Sequence, residues 1–162
     1  MVNTELAERL RALFASQPIA SLGTLHEGAP FVSMVPYALL PNGAGFVIHV
    51  SALAAHTKDM LADTRVSLLV MAAPSPDVPA QALARVTVQG DAMPIPEDVP
   101  VYALAKAAYL ARFPQSAQTF ELGDFALFAI RPRSLRYVGG FAQAKTVTPE
   151  GFAEALGGPS QR

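Results

Sequence analysis

The chain has 162 residues, 51% hydrophobic and 15% charged, with 12 Lys plus Arg against 13 Asp plus Glu and a formal net charge of -1. That length fits one domain with a real core, and the even charge balance excludes the concentrated positive surface that nucleic acid demands. The sequence holds no cysteine and only three histidines, His26, His49 and His56, which excludes disulfides, thiolate catalysis and the usual zinc spacings.

Charge this sparse, against roughly 25% in an ordinary soluble domain, predicts that the apolar surplus covers a subunit interface or a cofactor. Polar residues, glycine or proline interrupt every apolar run before the roughly 18 residues a membrane span requires. No basic segment leads into an apolar stretch at the N-terminus, so the expectation is a cytoplasmic protein with no membrane or signal segment.

Residues 3 to 16 read as an amphipathic helix, with Asn3 or Thr4 as cap and Leu6, Leu10, Leu13 and Phe14 on one side. Ile19 to Leu25 and Phe31 to Leu39 read as strands joined by a turn at His26-Glu-Gly28, with His26 in solvent. Pro36 marks a strand end, bulge or edge, and Pro41-Asn-Gly43 is a hairpin signal leading into a strand at Phe46 to Val50. The first three strands then form an antiparallel meander.

A short helix follows, with Ser51 as its cap and Leu53, Met60 and Leu61 on its apolar side. Helix-start amides beside Ser51, with His56, Thr57 and Lys58 in succession, suit a small anion such as phosphate, although a solvated connecting helix has the same pattern. Arg65 to Met71 is a nearly continuous apolar strand, and residues 73 to 82 form a proline-rich loop. Leu83 to Met93 alternates, with Arg85, Thr87 and Gln89 opposite Val86 and Val88.

A helix from Asp98 to Arg112 presents Val101, Leu104, Ala105 and Ala108 at helical spacing, and Phe120 anchors the connection after it. Asp124 to Ile130 and Ser134 to Val138 are the last two strands. Phe141 to Lys145 is a short return, Glu150, Phe152 and Leu156 belong to a short helix, and residues 157–162 fray. His49, between Ile48 and Val50, reads as a hydrogen-bonded strand histidine. The total is six or seven mostly antiparallel strands with two or more helices. Without a GxGxxG element or regular strand-helix alternation, a small barrel or sandwich fits better than a dinucleotide-binding fold.

Phe31-Val-Ser-Met-Val-Pro-Tyr37, Phe46-Val-Ile-His49, Leu53-Ala-Ala-His-Thr-Lys58, Asp63-Thr-Arg-Val-Ser-Leu-Leu69, Arg85-Val-Thr-Val-Gln-Gly90 and Arg136-Tyr-Val-Gly-Gly-Phe141 occur in this order across most of the chain. Together they resemble the pyridoxamine 5'-phosphate oxidase-like FMN-binding split barrels, in particular the HugZ-type haem-utilisation branch. The resemblance implies a mainly β, Greek-key split barrel with flanking helices, one domain over residues 1–147 and a tail over 148–162. It also implies a homodimer with FMN in a groove between two barrels.

Carried onto this sequence, the resemblance gives the flavin Ser33, Met34 and Val35 on one strand. Ser51, His56, Thr57 and Lys58 would hold the phosphate and ribityl hydroxyls, with Arg85 and Gln89 lining the same groove. The function it implies is a flavin-dependent oxidoreductase acting on an unidentified small substrate, with an unidentified electron donor. The alternative is a noncatalytic flavin- or haem-binding protein of the haem-utilisation type. No paired carboxylates or serine-histidine-aspartate set mark the chain as an enzyme.

Overall fold

The computed structural model describes residues 2–140 and 143–157; Phe141 and Ala142 of the expected return and most of the expected frayed end, residues 158–162, lie outside them. Helix α1 (Thr4–Ser16) starts where Asn3 Oδ1 accepts the Leu6 amide at 2.8 Å, and it buries Leu6, Leu10, Leu13 and Phe14. At its other end the Arg112 guanidinium donates to the carbonyls of Phe14 and Gln17 at 2.6 and 3.0 Å, satisfying acceptors that a helix leaves unpaired.

Strands β1 (Ile19–His26) and β2 (Ala29–Pro36) form a hairpin, then β3 (Ala38–Leu39) pairs with β4 (Phe46–Ser51). Helix α2 (Ala55–Ala62) leads to β5 (Arg65–Met71) and β6 (Arg85–Pro94). Helix α3 (Pro100–Arg112), β7 (Phe125–Val138), β8 (Ala144–Val147) and α4 (Pro149–Leu156) complete the chain. The described residues give one antiparallel sheet in the order β2-β1-β5-β6-β7-β4-β3, with β8 added to β7.

β2 and β3 follow each other in the chain yet lie at opposite ends of that order, which is how the sheet curls into a split barrel. The expected meander is instead two separate hairpins. Pro36 has no amide to give the first ladder; the Tyr37 amide makes its last bond, to the Pro18 carbonyl at 3.2 Å, and the Tyr37 hydroxyl donates to the Gln17 carbonyl at 2.6 Å.

The two last strands expected from the sequence are one strand, β7. Its first half pairs with β4 and its last residues with β8, while β6 pairs with it from Phe128 to Val138 and shifts register between Gln89 and Gly90. The bulge lets β7 bend across Pro132 without breaking.

β4 is apolar on both faces because both are covered. Phe46, Ile48 and Val50 enter the main core with Phe14, Leu22, Tyr37, Leu68 and Phe128, whereas Val47 enters a smaller core under α3 with Ala105, Tyr109 and Leu127. α4 belongs to the main core: Phe152 is fully buried and stacks on Phe46 with ring centroids 5.3 Å apart. Two apolar stripes differ from expectation. Leu53 and Leu61 are exposed while Met60 alone anchors α2, and Val101 and Leu104 face outward from α3. Among the described residues, no helix is long and apolar enough to cross a membrane.

Candidate ligand-binding site

Strand register puts one residue from each of five neighbouring strands in a row: Val32 opposite Gly23, Gly23 opposite Ser67, Ser67 opposite Gln89 and Gln89 opposite Ser134. That row is the floor of an open groove of about 530 Å³, within the roughly 300–1,000 Å³ of small-molecule sites. Leu25, Pro30, Phe31 and Val66 give it apolar walls, and Arg65 and Arg133 stand at its edge. A Cβ at Gly23 would meet only Ser67, at an ordinary 3.6 Å. Packing within the chain does not demand glycine there; its consequence is a floor left bare at the middle.

Both edge cations are held by carboxylates. Arg65 Nε and Nη2 donate to Asp63 at 3.0 and 2.6 Å, which keeps the Asp63 carboxyl low, at about 2. Arg133 Nε lies 3.0 Å from Asp91. Each guanidinium has five N-H donors, so both retain donors for an anionic ligand.

A second polar cluster ties α2 to the β1–β2 hairpin. Ser33 Oγ and His56 Nδ1 share a hydrogen bond at 3.0 Å. Next to it, Asp59, 5% exposed, accepts from Thr24 Oγ1 at 2.8 Å and from His26 Nδ1 at 2.7 Å. Burial pushes the Asp59 carboxyl up, but the hydrogen bonds from His26 and Thr24 outweigh it and hold it below the usual range. The hydrogen bond to Asp59 raises His26, and burial lowers His56 against the opposing pull of Asp59.

The structure brings together some of the residues singled out by sequence and separates others. Ser33 meets His56, and Thr57 Oγ1 donates to the Ser51 carbonyl at 2.6 Å. Gln89 lies in the groove floor, Met34 is exposed on the outer sheet face, and Val35 is buried in the main core. Ser51 does not cap α2: its hydroxyl donates to Asp124 at 3.1 Å and accepts from the Leu53 amide at 3.2 Å, in the turn before the helix, which begins after Ala54 with no side-chain cap. The Thr57 and Lys58 amides bond to the Ala54 carbonyl, and the Lys58 side chain lies on the exposed face. Arg85 donates to the Gln81 and Leu83 carbonyls, both at 3.0 Å.

Sequence reasoning passed over Gly23, Arg65, Arg133 and the His26–Asp59 pair. A glycine in mid-strand was the available signal for the first. His26, expected in a solvated turn, is bonded to a carboxylate 33 residues away, which no local pattern reveals.

The family described as pyridoxamine 5'-phosphate oxidase matches residues 6–139. The chain is 36% identical over 140 residues to the chloroplastic non-canonical haem oxygenase HOZ of Arabidopsis thaliana, an alignment that takes in 85% of this chain and 41% of that protein. Among solved structures, a haem-binding protein from Mycobacterium smegmatis superposes with a TM-score of 0.81 at 32% identity, over 94% of this chain and 61% of the other. The haem storage protein HutZ of Vibrio cholerae superposes with a TM-score of 0.69 at 22% identity, over 77% of this chain and 88% of that one, a likeness of fold. The chain thus spans less than two thirds of HOZ and of the mycobacterial protein.

These relatives correct the cofactor and the function expected above. The two matches above 30% identity are named for haem, and they overturn FMN, the flavoprotein assignment and the flavin-dependent oxidoreductase. The geometry agrees on one point: the Ser51-capped helix start expected to receive the flavin phosphate is not formed, because the helix begins only after Ala54 and the Ser51 oxygen accepts from the Leu53 amide, ahead of it. By sequence and by fold, the chain belongs to the pyridoxamine 5'-phosphate oxidase-like split-barrel family and is related within it to the haem-utilisation proteins.

Proposed function

We propose that this chain is a noncatalytic haem-binding protein that holds haem in the groove floored by Gly23. The observation that carries this reading is the match between groove and ligand. A tetrapyrrole is a flat apolar ring with two carboxylates on one edge. The groove offers apolar walls at Leu25, Phe31 and Val66, a floor bare at Gly23, and two guanidiniums, Arg65 and Arg133, with unused donors. The haem in the names of HOZ and of the mycobacterial protein supports haem as the ligand.

The reading includes a homodimer. Ile19, Met34 and Met71 are exposed together on the outer face of β1, β2 and β5, beside Leu69, with Met34 and Leu69 two residues along their strands from Val32 and Ser67 of the groove floor. A patch of that kind is suited to a subunit contact, which would enclose the groove from above. It also includes a cytoplasmic location, which the cysteine-free composition suits.

Haemin titration followed by its Soret band tests the function. Saturable uptake is expected, with affinity at least about tenfold weaker when Arg65 and Arg133 are both alanine, since hydrogen bonds to charged groups contribute about 1.5–3 kcal/mol. Gly23→Val should leave the fold intact and block uptake. Unchanged uptake in both variants would place haem elsewhere, and no saturable uptake would refute the function. A Soret band that persists in air with a reductant supports carriage, whereas its decay with product formation supports degradation.

A further inference from the structure

We infer that the groove recognises the tetrapyrrole ring and its carboxylates and leaves the central metal to a small exogenous ligand. Its ligand class is then the tetrapyrrole dicarboxylates, metal-free ones included; this rests on the groove assigned to haem above. Haem iron held by a protein takes an imidazole, thiolate, thioether or phenolate. The polar side chains along this groove are of other kinds: the hydroxyls of Ser67 and Ser134, the amide of Gln89, and the guanidiniums of Arg65 and Arg133. Thr24 adds no hydroxyl to them, since it is 4% exposed and donates to Asp59.

The fold places the iron-ligating side-chain types elsewhere. The chain has three histidines and no cysteine. By strand alternation His26 shares the core-side face of β1 with Leu22 and Thr24, turned to Asp59 of α2 and away from Gly23 and Leu25. His49 is stacked on Phe120 with ring centroids 3.8 Å apart, walled further by Tyr109 and Phe125, with Nδ1 towards Thr119 at 3.5 Å. His56 is half-buried, with Nδ1 taken by Ser33. Tyr37, Tyr109 and Tyr137 are core residues, and Tyr102 packs against the smaller core. Met60 is buried, Met34 and Met71 line the neighbouring depression, and Met93 lies beyond the register shift, opposite Ala129.

What the groove offers suits the ring and its edge. The walls at Leu25 and Phe31 cover apolar macrocycle, and burying that surface is equally favourable whatever the centre holds. Arg65 and Arg133, each bonded to one carboxylate of the chain, retain N-H donors for the two acids of the ligand. The floor suits either kind of centre, because Ser67, Gln89 and Ser134 each donate and accept. Such groups accept from the ring N-H groups of a metal-free macrocycle, and they hydrogen-bond equally to a water that the metal holds.

The test titrates the full chain with haemin, with metal-free protoporphyrin IX and with its dimethyl ester, read by absorption and by porphyrin fluorescence. Haemin and the free acid should bind within about tenfold of each other. The ester, which lacks the carboxylates, should bind at least about tenfold more weakly than the free acid, and Arg65→Ala with Arg133→Ala should weaken both acids alike. Bound haemin should take up added imidazole and show no ferrous iron–histidine stretch by resonance Raman, and His26→Gln and His56→Gln should leave its spectrum as in wild type. Haemin bound more than about tenfold tighter than the free acid, or an iron–histidine stretch in the wild type, would overturn the inference and leave haem binding intact. An ester bound as tightly as the acid would overturn the part given to the carboxylates. Uptake of the free acid without haemin would uphold the macrocycle site and refute the haem reading, and uptake of neither would refute both.

Discussion

Ser33 Oγ and His56 Nδ1 are 3.0 Å apart although 23 residues separate them in the chain. With the Asp59 bonds to Thr24 and His26, this contact fastens α2 to the β1–β2 hairpin. The helix needs such fastening, because its only large buried apolar side chain is Met60. Ser33→Ala leaves the half-buried ring nitrogen without its partner, so the loss should be about 1 kcal/mol, or about 2–4 °C in Tm for a chain of this size. Thermal unfolding measures it. A Tm within half a degree of wild type would mean that water replaces the serine hydroxyl at no cost.

Two glycines with positive φ separate backbone strain from crowding. Gly28 has φ of 81° and open space for 4 Å around the place a Cβ would take, whereas Gly43 has φ of 67° and a Cβ there would lie 2.5 Å from Ala153 Cα. Alanine at 28 should cost only the left-handed backbone, about 1–2 kcal/mol. Alanine at 43 should cost more than that, because α4 must shift off the β3–β4 turn. Denaturant unfolding of both variants compares them directly, and equal losses would show that α4 moves freely.

Those two turns also mark how far the sequence could be read. Glu27-Gly28 and Pro41-Asn-Gly43 were legible because their backbone requirements are local, and Phe46 to Val50 was legible because a strand covered on both faces is apolar throughout. What Gly43 packs against was not, since Ala153 lies 110 residues further on. The single long β7 was hidden by Arg131-Pro-Arg133, which reads as a break and is a bulge opposite Gly90. In the site, Ser33 and His56 were legible only as separate polar groups and their bond to each other was not, and the groove floor combines five strands. Only register across the sheet assembles it, and register is set by long-range pairing.

Met34 is 58% exposed on the outer face and lines a shallow apolar depression with Ile19, Leu69 and Met71. If this patch is the subunit contact, Met34→Glu brings two carboxylates to a charge-poor interface where burying them is costly. The expected outcome is a monomer by light scattering at micromolar concentration, with the monomer still folded by circular dichroism. A dimer as tight as wild type would put the contact on another face.

His49 gives the chain a pH dependence of known sign. Burial first, and the Lys106 charge second, lower its pKa from 6.5 to about 4. Between those values the unfolded chain binds a proton that the folded chain does not, so stability falls as pH drops from about 6.5 towards 4. The carboxylates titrate near the lower end of this window, so the comparison must be with His49→Asn, which keeps a polar group towards Thr119 but does not titrate. The variant should be less stable than wild type at pH 7.5, where the stacking on Phe120 is lost, and the gap should narrow as pH falls to 4.5. Denaturant unfolding across that range gives the two slopes, and NMR titration of the ring should find it neutral down to about pH 5. Parallel slopes would mean that the ring titrates as it does in the unfolded chain, and that the aromatic walls around it open readily to water.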